Sequence, residues 1–349
     1  MLIPTPPLLR LVLGVFLILG SMTVRAEIVP DVYRARVPVD DRRAPTLQRA
    51  RSEGLLQVVV KASGDTSAAQ NEAVQAAAKD ASRYLRSYGF EDADAGLAAL
   101  LDYDESAVRE LLRSADLPLW TANRPRVLAW LVISDTDGRH FASAAETPEV
   151  HRALEQSFDL RGLPLQLPLL DIEDAARISP GEAWRQSSGA LLRASERYGD
   201  VEVLSGRVAV LSGGRWVGEW RLLDNGRWVE RAVDAESLEA FALRGAALAA
   251  DLYAARYAVV PREQGGDQLR ITLRGILSYA HFRSARDALR GFESVRRVVP
   301  EHFVGDEVVL RVQANADQLQ LAKILELDQR FVATASATAG TGLQYEYIP

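Results

Sequence analysis

The sequence predicts an α/β and α+β protein: a leader, then three α/β units. The middle unit is a mixed sheet with two added hairpins, and the last is a ferredoxin-like βαββαβ unit. Three observations predict it. Residues 127–134 (VLAWLVIS) form one continuous apolar run of strand length, as expected where a strand is buried on both faces. Asn225-Gly226 stands between two alternating runs, a strong hairpin signal. From residue 268 to residue 348, strand and helix periodicities succeed one another in the order βαββαβ. The chain of 349 residues is 48% hydrophobic and 25% charged, the composition of a chain that folds around apolar cores.

Residues 1–26 have the layout of a secretory signal peptide. Arg10 supplies the charge, residues 11–19 (LVLGVFLIL) the apolar stretch, and Val24-Arg25-Ala26 the small-residue cleavage pattern. The apolar stretch is about half the roughly 20 residues of a membrane-spanning helix. The expectation is an exported, periplasmic chain with no membrane span after cleavage.

Residues 27–122 form the first unit. Residues 32–39 alternate and read as a strand. Pro45 suits a first helical turn, and Leu47, Leu55 and Val58 carry a helix to about residue 61. An alanine-rich stretch predicts a second helix over 68–88, ended by Gly89. Residues 97–103 read as a strand and 105–114 as a helix with Val108, Leu111 and Leu112 on one face.

Residues 126–260 form the second unit. After the apolar strand, residues 135–138 form a turn, 148–160 a helix, 165–171 a strand, 182–198 a helix and 201–211 a strand. That alternation predicts a parallel sheet. Gly213-Gly214 and Asn225-Gly226 then predict two hairpins, and residues 235–257 a long closing helix.

Residues 266–349 form the third unit. Strands at 268–275, 295–300, 307–314 and 343–348 alternate with helices at 279–292 and 317–328. An Ala/Thr/Gly tract at 332–342 connects to the last strand.

The chemistry is read mostly by exclusion. There is no cysteine, so thiolate metal sites, cysteine nucleophiles and disulfides are ruled out. A net charge of −6 argues against a general nucleic-acid partner. His140, His151, His281 and His302 lack ligand spacing, so no metal and no cofactor are expected. No G-x-S-x-G elbow occurs. The Asp171, Glu173 and Asp174 carboxylates (DIED) follow a strand, where ligands of open α/β sheets bind, and Asp135 ends the preceding strand. Burial would fit such acids for acid–base work; a helix-entry cluster that uses the favourable dipole is the plainer reading. Trp216, Gly218, Trp220 and Leu222 share one strand face, with Trp228 placed across the hairpin. Such a face either binds a glycan or lipid or covers the core. Asp135, Asp171, Glu173, Trp216 and Trp220 are therefore the candidate ligand contacts.

Four segments resemble an exported Gram-negative family, domain of unknown function number 2066. They are residues 37–64 (VPVDDRRAPTLQRARSEGLLQVVVKASG), 117–132 (LPLWTANRPRVLAWLV), 167–174 (LPLLDIED) and 196–208 (ERYGDVEVLSGRV). The resemblance implies an envelope protein and supplies no catalytic residues. The second unit, with Gly199 before and Gly206 within its third strand, also resembles two envelope domains. One is the amino-terminal domain of the Tol translocation protein, the other the curli-secretion lipoprotein domain; the lipid-anchor cysteine is missing here. These likenesses imply a non-enzymatic adaptor or assembly factor with an envelope protein partner. The alternatives are a glycan- or lipid-binding protein, or a hydrolase using Asp135, Asp171 and Glu173.

Overall fold

The computed structural model describes residues 27–28, 31–93, 96–260, 267–334 and 342–349. The leader expected at 1–26 lies outside the described residues, as does most of the Ala/Thr/Gly tract.

The chain opens with β1 (Glu27–Ile28), β2 (Arg34–Pro38), α1 (Ala44–Ser63), α2 (Glu72–Lys79), β3 (Leu85–Ala93), β4 (Gly96–Tyr103) and α3 (Glu105–Ser114). The strands β2-β4-β3 form an antiparallel sheet. Pro45 sits in the first turn of α1, as its fixed φ favours. Leu55, Val58, Val59 and Ala62 then bury against Leu101, Val108 and Leu112. Asp104 caps α3 by accepting a hydrogen bond from the Ala107 N–H at 2.8 Å. The long helix expected over 68–88 is corrected. Helix α2 stops at Lys79, and the chain turns through Asp80 into β3, where Gly89 pairs with Leu100. Pairing with β4 overrides the local helix preference of the alanines.

Next come β5 (Asn123–Arg124), β6 (Val127–Asp135), β7 (Gly138–Phe141), α4 (Pro148–Leu160), β8 (Leu165–Gln166), α5 (Ile172–Arg177), α6 (Pro180–Trp184) and α7 (Ser188–Ser195). They are followed by β9 (Glu202–Val210), β10 (Trp216–Asp224), β11 (Arg227–Ala235) and α8 (Leu238–Tyr257). The sheet order is β11-β10-β9-β6-β7, with β8 also beside β6. Strand β6 runs parallel to β8 and β9, and β9-β10-β11 are antiparallel. Both faces of β6 are covered. Val127, Ala129, Leu131 and Ile133 enter the core with α4 and α8, whereas Leu128, Trp130 and Val132 enter the core with α6 and α7.

Three expectations in this region are corrected. The strand at 165–171 shortens to β8, because Pro168 has no ladder N–H and Leu170 adopts φ 54°. The helix at 182–198 is two helices, broken where the buried Gln186 takes φ 53°. Trp228 lies opposite Leu223, on the other face from Trp220, and stacks under the Arg221 guanidinium at 5.0 Å. The turn at 135–138 also opens a hairpin, since β7 pairs back onto β6.

The last elements are β12 (Asp267–Arg274), α9 (Tyr279–Gly291), β13 (Val295–Val304), β14 (Glu307–Ala314), α10 (Gln318–Glu326), β15 (Phe331–Ala333) and β16 (Leu343–Tyr347). The ferredoxin-like expectation holds for the element types but not for the ending. A helix links parallel strands, so the strand after α10 runs parallel to β14, and that strand is β15. The chain then reverses, and β16 inserts between β15 and β12, antiparallel to the first and parallel to the second. Phe331 is the reason: it packs on Phe292, Tyr345 and Tyr347 and fixes β15 as a fifth strand.

The end of α1, the turn after α4 and the connection before β5 meet around Arg124. This buried guanidinium lies over the Trp120 ring and donates to the carbonyls of Lys61, Trp120, Thr121 and Gly162. Burial pulls its pKa down to about 9, opposed by the Glu293 carboxylate, so it is charged at neutral pH. Beside it, the Lys61 ammonium donates to Asp159 at 2.9 Å, and Arg161 donates to the Gly64 carbonyl and Asp251. Arg109 donates to the Glu293 carbonyl, and the Ala122 N–H donates to the Glu293 carboxylate.

Candidate functional site

The site forms where β8 ends. Pro168 stops the strand and Leu170 turns the chain in the left-handed region, an uncommon conformation for a branched side chain that persists only when its surroundings enforce it. Asp171 is then the N-cap of α5 and accepts from the Asp174 N–H at 3.0 Å. One turn on, Asp174 points inward and is 1% exposed. Its carboxylate accepts from the Leu170 N–H at 2.8 Å, the Tyr198 hydroxyl at 2.5 Å and Arg197 at 3.1 Å. The Tyr198 hydroxyl in turn accepts from the Leu169 N–H at 2.9 Å. The Leu169 and Leu170 N–H groups of the turn thus each have a partner.

Arg197 closes the brace from outside. It donates bidentately to Asp171 at 2.6 and 2.9 Å and lies 3.5 Å from Glu173. Glu173 also accepts from Arg177 at 2.8 Å. The Tyr198 ring meets Trp130 edge-to-face, and the Trp130 indole N–H donates to Ser195. The brace is therefore tied to the central strand β6.

The electrostatics decide the chemistry. The bond from Arg197, then that from the Asp174 N–H, holds the Asp171 carboxyl well below the usual carboxylate range. Burial and the bond to Asp174 push the Tyr198 hydroxyl up to about 12. A carboxyl general acid needs the opposite shift. The brace fixes shape, and its product is display. Leu169 is 70% exposed and Ile172 is 89% exposed on either side of the strained turn. An open cleft of about 470 Å³ adjoins α5, lined by Ala176, Arg177, Ile178, Glu182 and Arg193 among others. Glu182 is already engaged there, capping α6 with Ser179.

The structure brings Asp171 and Glu173 together through Arg197 and keeps Asp135 apart. Asp135 accepts from the Asp137 N–H in its own turn and stands 3.7 Å from His140. Trp220 as a ligand contact is corrected. It is 0% exposed, donates to the Phe241 carbonyl at 3.1 Å, and fills the core under α8. Gly206 and Gly245 flank its ring, and a Cβ at either would enter the ring's contact distance. Trp216 is half-buried against the same core. Among the described residues, no group of three or more His, Cys, Asp or Glu side chains is placed to hold a metal ion. Sequence reasoning singled out Asp171 and Glu173 but missed Arg197 and Tyr198, which lie within the ERYGD segment noted for its resemblance alone. It also missed Leu169 and Ile172, because an exposed apolar residue looks like a buried one in a sequence.

The comparisons with known proteins bear on part of the chain. A family model described as Domain of unknown function (DUF8605) matches residues 26–121. A solved structure described as "Crystal structure of uncharacterized protein" is similar at 13% identity, over 38% of this chain and 90% of that one, with a TM-score of 0.18. No curated protein matches the chain. Among the described residues, no helix is long and apolar enough to cross a membrane.

Proposed function

We propose that this chain is a non-enzymatic adaptor or assembly factor of the cell envelope that binds another envelope protein. One observation carries the reading: a buried hydrogen-bond network and a strained turn hold Leu169 and Ile172 in solvent. A fold gains nothing in its own stability from displaying large apolar side chains on a strained turn; a binding surface gains pre-organised anchors. The charge around them is mixed, with Asp171 and Glu173 paired to Arg197 and Arg177, which suits the rim of a protein interface more than a lipid surface. The export-signal layout of residues 1–26 and the likeness to domain of unknown function number 2066 support an exported, periplasmic location.

The test is in-cell crosslinking of the tagged full chain, compared with a Leu169→Ser/Ile172→Ser variant. The expected result is an envelope protein recovered with the native chain and lost with the variant, at equal melting temperature. Equal recovery from both would remove the reading.

A further inference from the structure

The sheet of the third unit turns one face to its helices. Leu269, Ile271 and Leu273 of β12 and Val308, Leu310 and Val312 of β14 meet α9 and α10 in the core. Strand side chains alternate, so Gln268 and Arg270 of β12 and Arg311 and Gln313 of β14 lie on the opposite face. There Gln268 pairs with Gln313 and Arg270 with Arg311. Strand β13 completes the face, with Arg297 opposite Gln313 and Val299 opposite Arg311. Register shifts at Val295/Arg297 and Pro300/His302 bracket these two residues; such irregularities re-aim side chains.

Three guanidiniums gather on this face around one carboxylate. Arg270 and Arg311 stand directly opposite each other, which is destabilising for like charges by themselves. Glu301 bridges them, accepting from Arg270 at 3.1 Å and from Arg311 at 2.7 Å. The bond from Arg311 above all holds the Glu301 carboxyl below the usual carboxylate range, so it carries one negative charge. Among the described residues, Arg297, Gln268 and Gln313 have no side-chain hydrogen bond and Arg297 has no ion pair. Two positive charges are therefore left unmatched. The next acids on the face, Glu307 and Glu346, sit with Arg274, about 13 Å further along β12. An open pocket of about 240 Å³ is lined by Gln268, Arg297, Val299, Arg311 and Gln313. Its polar lining is two guanidiniums and two amides, without a carboxylate.

We propose that this pocket binds a phosphate monoester. Such a group carries about −2 near neutral pH and three acceptor oxygens. It meets both unmatched charges and takes donors from Arg297, Arg311, Gln268 and Gln313. Guanidinium forks suit phosphate oxygens in particular. A carboxylate or a sulfate ester brings one negative charge and leaves one cation unmatched. Val299 gives an apolar edge to whatever bears the phosphate. A soluble ester and a lipid headgroup present the same chemistry. The pocket lies on a different unit from the Leu169/Ile172 anchors, and neither reading depends on the other.

The test is calorimetric titration of the full chain at low ionic strength with phenyl phosphate, phenyl sulfate and benzoate, which share a ring and differ in charge. The expected result is saturable binding of phenyl phosphate, about tenfold or more tighter than of either monoanion. Arg297→Gln and Arg311→Gln each weaken it about tenfold or more at unchanged melting temperature. Arg283→Gln removes an exposed cation of α9, on the helix side of the sheet, and leaves it unchanged. Vesicles of phosphatidylcholine with phosphatidic acid separate the sources. Co-sedimentation that is lost in Arg297→Gln assigns the pocket to a lipid headgroup; binding of phenyl phosphate without co-sedimentation assigns it to a soluble ester. Equal affinity for the monoanions, binding retained in both pocket variants, or equal weakening in Arg283→Gln would overturn the proposal, as would binding of neither phenyl phosphate nor the vesicles.

Discussion

The Arg124 guanidinium carbon lies 4.1 Å from the centroid of the Trp120 ring, and the same group donates to four backbone carbonyls. A single buried cation thus satisfies carbonyls at the end of α1, after α4 and in the connection between them. Arg124→Ala would orphan all four, each unmet buried acceptor costing about 1–3 kcal/mol. We expect a loss of about 3 kcal/mol or more in urea denaturation. Arg124→Lys recovers only part, because an ammonium lacks the planar fork. A small loss for the alanine variant would mean that water replaces the guanidinium.

Glu293 sets a pH dependence. Burial raises its carboxyl pKa, against the lowering effects of Arg109 and the Ala122 N–H. Its folded value therefore lies above an unfolded value of about 4.3, and the folded state holds its proton more tightly. The stability it contributes is full below that unfolded value and is lost as pH rises through the folded one. Glu293→Gln keeps an acceptor for Ala122 and removes the titration. The variant is expected to lose less stability than the native chain as pH rises from about 4 through the folded value of Glu293. Parallel curves would contradict this.

Asp171 has the opposite sign. Its carboxyl is held low by Arg197, so its contribution is present above an unfolded pKa of about 3.9 and disappears as pH falls through the folded value. Asp171→Asn should flatten acid unfolding below about pH 4, followed by the fluorescence of Trp130, which the brace contacts through Tyr198. An unchanged acid limb would show that Arg197 adds nothing there.

Trp220 is a core residue, and its neighbours test that. Gly206→Ala or Gly245→Ala forces a methyl group into the ring's space and should cost about 1–3 kcal/mol. Trp220→Ala should cost about 3–5 kcal/mol. Calorimetric melting of the three variants checks both values; a Trp220→Ala variant as stable as the native chain would restore the tryptophan to the candidate ligand contacts.

Much of the fold was legible because its signals are local. The VLAWLVIS run reads as a two-sided strand, and both faces of β6 are buried. Helix α3 has the bounds that its apolar spacing predicts, and Asp104 caps it. The misreadings share a cause. Residues 68–88 have helix-forming composition, yet β4 draws Leu85–Ala93 into a ladder. The 182–198 pattern continues through Gln186, yet the Arg221 guanidinium docks on the Gln186 carbonyl and side chain at 3.3 Å, where the helix breaks. The DIED acids announced a helix start, and Asp171 is one; their partner Arg197 is 26 residues away.

By itself the sequence determined most of the element types, the absence of thiol chemistry and the hairpin at Asn225-Gly226. Each follows from composition, periodicity or the dihedral preference of one or two residues. Only the tertiary structure decided that Trp220 is enclosed, that Asp174 is buried beneath Leu170, that Arg124 joins three segments, and that Arg270, Arg297 and Arg311 share one sheet face. Those are facts about which groups meet across long stretches of chain. Pairing and burial can reverse a local preference, and a side chain's exposure is settled only by what the rest of the chain places over it.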